Sequence, residues 1–339
     1  MLLKPHLALF NRARLSLNLP LVNQDALSGN FQPYVTEMID AAVASVTANQ
    51  GALPLTPSME RHPYKNSFPI TPEFATYMIG TFPPINYLID LLAFPQIQKL
   101  TKPGGKKISK PKIPIYHGQT CELWKLLGLI NGRETLSEND RLLLSNNVYS
   151  WLRSNHINYF DIIDYCQRAV YDSSDSNLMN IIPNTDAFNS VLNPNVSNIT
   201  LIFNTSSAFG IHGLQFDRAG NFKPDSKSFD MFIWLAITLG HEVAFSLDQN
   251  NWIEMSRQNA ATLNNVFRRK LIFHLMINSK EFTVIAGVSP SKAARTYTSH
   301  PSYNHYSLQG NTPGLLNFKK FVYTKAIARE YADLFRLNS

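Results

Sequence analysis

The sequence predicts an α/β protein with three layers, α/β/α, built around a central, mostly parallel sheet of four strands and preceded by a helical N-terminal extension. Four short apolar runs, each closed by glycine or a polar residue, have the length and composition of buried strands. Segments with apolar residues at helical spacing separate these runs. Strands that alternate with helices are typical of a parallel sheet whose faces are covered by helices.

The composition limits the classes of protein to which the chain can belong. Its 339 residues, 44% hydrophobic and 16% charged, suffice for one large α/β domain with extensions or for two small domains. No apolar run reaches the roughly 18 residues of a membrane span, and the N-terminus lacks a secretory leader, so we expect a cytoplasmic protein without a membrane partner. We also expect a monomer. Only Cys121 and Cys166 are present, with no Cys-x-x-Cys pair or His cluster, so no disulfide framework, metal or cofactor is predicted.

The net charge indicates the chemistry of a partner. A formal charge of +7 and a pI of about 9.3 favour a polyanion such as nucleic acid, although many basic proteins bind none. Residues 99–114, KLTKPGGKKISKPKIP, combine six lysines with Gly-Gly and three prolines and predict an extended, mobile basic loop. A solvated linker is the alternative. We expect Lys106 and Lys107 of this loop to contact the phosphates of such a partner.

The elements can be placed in chain order. Residues 1–75 are punctuated by proline and asparagine and predict an N-terminal extension with one helix at PYVTEMIDAAVASVTANQ, residues 33–50. Residues 76–339 are predicted to form the α/β/α domain. Its strands are predicted at FATYMIG (74–80), INYFDIIDYC (157–166), NITLIFN (198–204) and FTVIAG (282–287), and its first helices at CELWKLLGLI (121–130) and DRLLLSNNVYSWLRSNH (140–156).

Each predicted strand ends in a turn-forming or polar motif. The four motifs are GTFPP, FDIIDYCQR, FNTSS and GVSPSKAAR. In GTFPP the chain must turn sharply, because neither a helix interior nor a central strand accommodates two consecutive prolines. Since ligands of parallel α/β sheets bind beyond the carboxyl ends of the strands, the sequence predicts a ligand site where these motifs converge.

Together, in this order, the motifs resemble those of the uracil-DNA glycosylase superfamily, nearest to its mismatch-specific thymine/uracil and hypoxanthine branches, over residues 75–310. GTFPP stands at the Gly-x-Asp/Asn-Pro turn of that superfamily, and IYHGQTCELW (115–124) resembles the Tyr-Tyr-Gly segment of the hypoxanthine branch. FDIIDYCQR resembles the strand that presents the base-reading residue, FNTSS the Phe-Asn-Gly strand, and SPSKAAR (289–295) the Pro-Ser-x-x-Ala-Arg motif. The resemblance implies a monofunctional DNA glycosylase that flips a base out of double-stranded DNA and excises it, leaving an abasic site.

The resemblance also implies a base-binding pocket formed by Thr81, Phe82, Pro83, Asp161 and Asn204. Relatives that read uracil or thymine place Asn at position 161. A carboxylate only accepts hydrogen bonds, so Asp161 suits a base with an amino group at that edge, such as cytosine. Hypoxanthine stays open, and a structural cap or ion-pair partner is the alternative role of Asp161.

Phe82 departs from the pattern of the superfamily. It occupies the position of the Asp or Asn that activates water, yet glycosidic hydrolysis needs an anion or amide near the oxocarbenium-like sugar. Aligning on Trp124 places Gln119 and Glu122 near the Asn that serves the hypoxanthine branch, and Glu122 is the expected catalyst. A solvent-facing Glu at a helix start is the alternative. An inactive relative that only binds DNA would also show Phe82, and an unrelated nucleotide hydrolase or structural protein is a third class.

The last motif implies DNA contacts and completes the expected function. Ser289 and Ser291 are suited to bind phosphate at a helix N-terminus, with Lys292 adding charge. Arg295 matches the Arg that relatives insert into the gap left by the flipped base. With a carboxylate at 161, the expected substrate is a C5-modified cytosine of the kind some bacteriophages use, which implies defence against foreign DNA. Repair of hypoxanthine or uracil is the alternative.

Overall fold

A computed structural model gives the fold and describes residues 2–83, 85, 99–109, 123–129, 138–204, 214–225, 227–286 and 301–338. In chain order the helices are α1 (Leu7–Ser16), α2 (Gln24–Ser28), α3 (Gln32–Ala48), α4 (Leu123–Leu126), α5 (Glu138–Ser154), α6 (Thr185–Leu192), α7 (Ser228–Thr238), α8 (Ala260–Phe267), α9 (Pro301–Leu308), α10 (Leu315–Ala328) and α11 (Tyr331–Phe335). The strands are β1 (Met59–Arg61), β2 (Thr76–Gly80), β3 (Lys99–Thr101), β4 (Lys107–Ser109), β5 (Ile157–Asp161), β6 (Ile163–Arg168), β7 (Leu178–Pro183), β8 (Ile199–Phe203), β9 (Val243–Ser246), β10 (Ile253–Glu254), β11 (Ile272–Ile277) and β12 (Lys280–Ile285).

The chain divides into two compact units, each assembled from separated segments. Unit 1 consists of Met1–Lys65, Phe82–Gln119 and Ile163–Asn184. Unit 2 consists of Asn66–Thr81, Thr120–Ile162 and Thr185–Ser339. The predicted boundary at residue 75 is a division in chain order and stays a prediction.

Unit 1 combines a small antiparallel sheet with the N-terminal helices. The sheet has the order β1-β6-β7. Helix α3, which confirms the helix predicted at residues 33–50, buries Val35, Met38, Ala42 and Val46. This spacing of three and four residues places the four side chains on one stripe of the helix, and three of them join the apolar cluster of the unit.

The basic segment at the start of residues 99–114 differs from the predicted extended loop. Strands β3 and β4 pair antiparallel as a hairpin within unit 1. Leu100 and Ile108 are buried in an apolar cluster, whereas Lys106 and Lys107 are exposed. Gly104 and Gly105 turn the chain with positive φ angles of 87° and 84°, which favour glycine. The pattern of buried and exposed side chains at period two is that of a half-buried strand pair.

Unit 2 contains a seven-stranded sheet in the order β10-β9-β11-β12-β8-β2-β5. The neighbours β12, β8, β2 and β5 are mutually parallel, and they correspond to the four strands predicted from the sequence. The prediction of an α/β fold with a mostly parallel central sheet is therefore confirmed. The predicted number of strands is wrong, because β9, β10 and β11 extend the sheet by antiparallel pairing.

The additional strands follow from a tight turn that the sequence contains. Ile277 pairs with Lys280 across the two-residue loop Asn278-Ser279, whose φ angles are 46° and 64°. Two consecutive positive φ angles are typical of the type I′ turn that joins hairpin strands. The last predicted strand, β12, is therefore the second arm of a hairpin.

The run predicted as one strand over residues 157–166 forms two. Strand β5 ends at Asp161 and belongs to the sheet of unit 2, whereas β6 begins at Ile163 and belongs to the sheet of unit 1. The intervening Ile162 donates its N–H to the Gly80 carbonyl at 3.0 Å. The change of sheet falls directly after Asp161, which makes this residue a strand end.

Helices contact strand β8 from both faces. The Phe203 ring packs on Phe229 and Phe232 of α7, with ring centroids 5.1 and 5.6 Å apart. The Thr200 hydroxyl hydrogen bonds with the Tyr331 hydroxyl of α11. Residues three apart on a strand point to opposite faces, so α7 and α11 lie on different sides of β8. The three-layer arrangement of the whole sheet stays a prediction.

The hairpin turn generates a stability prediction. Ser279 holds a positive φ that costs an L-residue free energy and glycine almost none. Ser279→Gly should raise the free energy of unfolding by about 0.5–1 kcal/mol. The measurement is the midpoint of urea unfolding. Ser279→Ala keeps the strained angle, so an equal gain in that variant would show that the turn conformation is not the cause.

His274 of β11 generates a pH prediction. Its ring stacks on Phe335 at 5.3 Å, and its Nδ1 has no hydrogen-bond partner among the described residues. Burial lowers the pKa of His274 below its ordinary 6.5, although Glu281 and Asp248 oppose the shift. The unfolded chain therefore takes up the proton first, so this contribution to stability is lost as pH falls through the unfolded pKa toward the lower folded pKa.

We expect unfolding midpoints to fall between about pH 7.5 and about pH 5.5, and to fall less in His274→Gln, which does not titrate in this range. Thermal unfolding of both proteins across that range measures the difference. Parallel pH curves would exclude His274 as the titrating group.

Candidate functional site

The carboxyl ends of three neighbouring parallel strands meet at one edge of the sheet in unit 2. Strand β2 lies between β5 and β8, and Gly80 at its end is in register with Asp161 at the end of β5. On the other side, Asn204 follows β8 and donates its N–H to the Ile79 carbonyl at 2.9 Å. The pairing therefore brings Gly80, Asp161 and Asn204 to the same edge.

This edge is a topological switch point. From β2 the chain continues to β5 on one side of the sheet, whereas from β8 it continues to β9, which lies on the other side, beyond β12. Adjacent strands whose connections leave in opposite directions open a crevice at their carboxyl ends, which is where ligands bind in open α/β sheets. The crevice between β2 and β8 is bordered by Gly80 and Asn204.

Gly80 is required by the space that Asp161 occupies. A Cβ atom built on Gly80 would lie 1.8 Å from Asp161 Oδ1 and 3.0 Å from its carboxyl carbon. Real Cβ atoms do not approach other atoms so closely, so any larger residue displaces the carboxylate. The glycine of the GTFPP motif therefore makes room for the Asp161 side chain, which is buried.

Asn204 presents a buried hydrogen-bond donor. Its side chain is 6% exposed, and its Oδ1 accepts a hydrogen bond from the Tyr323 hydroxyl of α10 at 3.2 Å. The Nδ2 group has no partner among the described residues. Because Tyr323 occupies the oxygen end of the amide, the amide N–H groups are left for another acceptor.

Thr81 adds a second unsatisfied group next to the strand end. Its Oγ1 is buried and lacks a hydrogen-bond partner in the part of the chain that the structure describes. A buried polar group without a partner costs about 1–3 kcal/mol. Two such groups at one strand edge are typical of a site that a polar ligand completes.

The prolines of the opening motif are anchored within unit 1. Arg168, at the end of β6, donates from Nη2 to the Pro83 carbonyl at 2.7 Å and lies over the Phe82 ring, 5.6 Å from its centroid. The His62 ring meets Phe82 edge-on at 5.6 Å. Phe82 is thus packed between a guanidinium and an imidazole, and its ring carries no group that could activate water.

A buried ion pair fixes Arg168. Its Nε lies 3.0 and 3.2 Å from the two carboxylate oxygens of Glu60 on β1, and its Nη1 donates to the Asp172 carbonyl at 3.1 Å. Burial raises the pKa of Glu60, and the guanidinium opposes that rise. Sequence reasoning missed this pair, because Glu60 and Arg168 lie 108 positions apart and neither residue stands in a recognisable motif.

Burial also accounts for the chemistry of Cys166, which lies on β6 near this ion pair. Burial and the negative charge of Glu60 raise the pKa of its thiol well above the ordinary value. A thiol with a raised pKa forms little nucleophilic thiolate, so Cys166 is a core residue.

The structure places the predicted site residues in three groups. Thr81, Asp161 and Asn204 lie at adjacent strand ends of unit 2, and Phe82 and Pro83 belong to unit 1. Lys106 and Lys107 are exposed on the β3–β4 hairpin. The remaining predicted residues, Gln119, Glu122, Ser289, Ser291, Lys292 and Arg295, lie outside the described residues.

Comparisons of the chain with protein-family models, with curated proteins and with solved structures found no match. Among the described helices, none has both the length and the apolar character needed to cross a membrane. Within the same part of the chain, no three His, Cys, Asp or Glu side chains come together as a metal site.

The Gly80 contact generates a test by double substitution. Gly80→Ala should destabilise the protein by about 1–3 kcal/mol, because the new methyl group overlaps the Asp161 carboxylate. In an Asp161→Ala background the nearest remaining atom is Tyr159 Oη at 3.5 Å, an ordinary contact. The loss of stability caused by Gly80→Ala should therefore be smaller, by about 1 kcal/mol or more, in the Asp161→Ala background than in the wild-type protein. Equal costs in the two backgrounds, measured by urea unfolding, would contradict the steric role of Gly80.

Proposed function

We propose that the protein is a monofunctional DNA glycosylase that excises a C5-modified cytosine. The observation that carries the proposal is that two buried side chains, the Asp161 carboxylate at the end of β5 and the Asn204 amide at the end of β8, lie on either side of β2 at one edge of the sheet, and the Asn204 Nδ2 has no partner among the described residues. A carboxylate acceptor and an amide donor are complementary to a ligand edge that carries an amino group beside an acceptor atom.

Cytosine has such an edge. Its 4-amino group donates hydrogen bonds, whereas uracil presents a carbonyl oxygen at the same position. An ionised carboxylate at the position of Asp161 would accept from the amino group of cytosine and would face the carbonyl oxygen of uracil unfavourably. Asn204 would then donate to an acceptor atom of the same base.

The proposed reaction is hydrolysis of the bond between the base and deoxyribose. Water adds its oxygen to C1′ as the C1′–N bond breaks, the base leaves with a proton, and an abasic site remains. Enzymes that act on a base inside a duplex extrude it into a confined pocket and read its edge by hydrogen bonds. Buried polar groups at a crevice are suited to read a base in this way. The proposed catalyst is Glu122, assisted by Gln119 upstream in the sequence, and the proposal needs no cofactor.

The substituent at C5 supplies the selectivity that the proposal requires. Ordinary cytosine must be spared, so binding energy from a bulky C5 group has to distinguish the substrate from the abundant base. Such cytosines occur in the DNA of some bacteriophages, so we propose a role in defence against foreign DNA. The proposed enzyme acts as a cytoplasmic monomer on double-stranded DNA.

A second candidate is a DNA-binding relative without catalysis. The packing of Phe82 against Arg168 and His62 favours it, because this position supplies no group that polarises water. Both candidates bind DNA, and only the glycosylase forms abasic sites.

The test compares duplexes that contain uracil, hypoxanthine or a C5-modified cytosine, each incubated with equal enzyme. We expect release of the modified cytosine in preference to the other bases, measured by mass spectrometry of the free bases. Asp161→Asn should lower this release by on the order of tenfold or more, because an amide replaces the acceptor-only carboxylate.

The control variant is Asp40→Asn, which makes the same chemical change at an exposed position of α3 and should leave release unchanged. Preferential release of uracil or hypoxanthine would contradict the proposed substrate and indicate a repair glycosylase. DNA binding without release of any base would favour the inactive relative.

A further inference from the structure

Unit 1 contains a cavity of about 470 Å³ that the base-excision proposal does not use. It lies where α1, the turn of the β3–β4 hairpin and the connection between β6 and β7 approach one another. The volume falls within the range of small-ligand sites, roughly 300–1,000 Å³. Its lining consists of His6, Leu9, Arg12, Leu55, Thr56, Pro57, Lys102, Pro103, Ala169, Val170, Tyr171 and Met179.

The charged side chains of this lining are all basic. Arg12 and Lys102 line the cavity, and no Asp or Glu belongs to the lining. Elsewhere in unit 1, buried or half-buried cations are paired with carboxylates: Arg14 with Glu37, Lys65 with Asp164 and Arg168 with Glu60. Neither Arg12 nor Lys102 has such an ion pair among the described residues.

The donors of the cavity have unused hydrogen-bonding capacity. The Lys102 ammonium donates to the Tyr171 carbonyl, which uses one of its three N–H groups. Arg12 donates from Nε to the Ala8 carbonyl at 3.4 Å, which leaves its terminal nitrogens for a ligand. His6 accepts the Leu9 N–H at Nδ1, so its neutral ring carries a proton at Nε2, which is then a donor.

The Asp172 carboxylate, which lies outside the lining, is already bound by other hydrogen-bond donors. Asp172 accepts hydrogen bonds from the Ser174 N–H at 2.8 Å and from the Asn177 amide at 2.8 and 2.9 Å. Partial burial lowers the pKa of Lys102 and the Lys106 ammonium lowers it further, whereas the negative charge of Asp172 opposes the shift without reversing it. An anion bound beside Lys102 would offset both effects.

The rim of the cavity is apolar. Leu55 is 77% exposed and Val170 is 51% exposed, which is unusual for large aliphatic side chains, and both line the opening. The half-buried Tyr171 adds a ring whose hydroxyl is bound to the Pro54 carbonyl at 3.0 Å. The occupant therefore has to combine an anionic group with a flat or apolar surface.

We propose that this cavity binds one nucleotide of a DNA strand, with its phosphate at Arg12, Lys102 and His6 and its base against Leu55, Val170 and Tyr171. A phosphate accepts from several donors at once, and a base buries an apolar face. A strand fits better than a free nucleotide, because Lys106 and Lys107 continue the positive charge on the same hairpin outside the cavity. The site is independent of base excision and would exist in an inactive relative.

The test uses a fluorescein-labelled, single-stranded oligonucleotide and the full chain, with binding measured by fluorescence anisotropy at several salt concentrations. The variant Arg12→Met/Lys102→Met keeps the aliphatic stems and removes both charges. Affinity should fall on the order of tenfold, and the slope of log affinity against log salt should become shallower by about 0.7, because the two side chains contact a single phosphate and each lost phosphate contact removes about 0.7.

The matched control is Arg268→Met/Lys223→Met, which removes two exposed cations of unit 2 and should change neither quantity by a comparable amount. A second variant, Leu55→Ser/Val170→Ser, should weaken binding while leaving the salt slope unchanged, because it alters only the apolar contacts. Equal affinity and slope for the cavity variant and the control variant would overturn the proposal.

Competition by free deoxycytidine monophosphate separates the two sources of the ligand. Weak competition is expected for a site that binds a strand. Full displacement of the oligonucleotide at nucleotide concentrations similar to its own would overturn the assignment to DNA and identify a site for free nucleotides. Base release is measured in parallel, so a failure of the cavity proposal is distinguishable from a failure of the glycosylase proposal.

Discussion

The parallel pairing of β2 with both β5 and β8 is the constraint on which the candidate site depends. All five residues of β2 are buried, and its neighbours on both sides run in the same direction. Three strand ends are therefore brought to one edge whatever loops follow them. Where the chain order reverses, the two connections leave the sheet in opposite directions, and polar groups at these strand ends are where ligands bind in open α/β sheets.

The edge of the sheet concentrates buried polar groups, and two of them, Thr81 Oγ1 and Asn204 Nδ2, have no hydrogen-bond partner among the described residues. The Asp161 carboxylate occupies the space that a side chain at Gly80 would fill. The Tyr323 hydroxyl donates to Asn204 Oδ1, whereas Asn204 Nδ2 has no partner in the described part of the chain. Buried unsatisfied groups lower stability. Their concentration at a switch point is explained by a ligand more readily than by packing, because the core of the sheet next to them is apolar.

The fold was predictable where a local pattern determines it. Four apolar runs gave the four parallel strands, and the stripe of Val35, Met38, Ala42 and Val46 gave helix α3. The antiparallel strands were missed because the turn at Asn278 and Ser279 lacks the glycine that usually marks a two-residue hairpin loop. The basic hairpin was missed because lysine, glycine and proline dominate its sequence and conceal the single apolar residue in each arm, Leu100 and Ile108.

The site was predictable only in part, for a related reason. Motif order indicated Thr81, Asp161 and Asn204, since each stands at the end of an apolar run. The partners that give these residues their properties are distant in sequence: Tyr323 follows Asn204 by 119 positions, and Glu60 precedes Arg168 by 108. No local periodicity carries such information. The exposed apolar rim of the cavity in unit 1 is likewise visible only once α1, the hairpin and the β6–β7 connection are assembled.

The surroundings of Phe82 indicate which part of the chain could supply a group that activates water. The guanidinium nearest to this ring is Arg168, which is already bound to the Glu60 carboxylate and to the Pro83 carbonyl. A carboxylate substituted at position 82 would compete with Glu60 for one buried cation, and one of the two acids would be left without a compensating charge. Phe82 is thus an apolar ring packed against the guanidinium of the ion pair, and an acid introduced at this position would have to share that cation with Glu60. If the chain hydrolyses a glycosidic bond, the activating group has to come from another element.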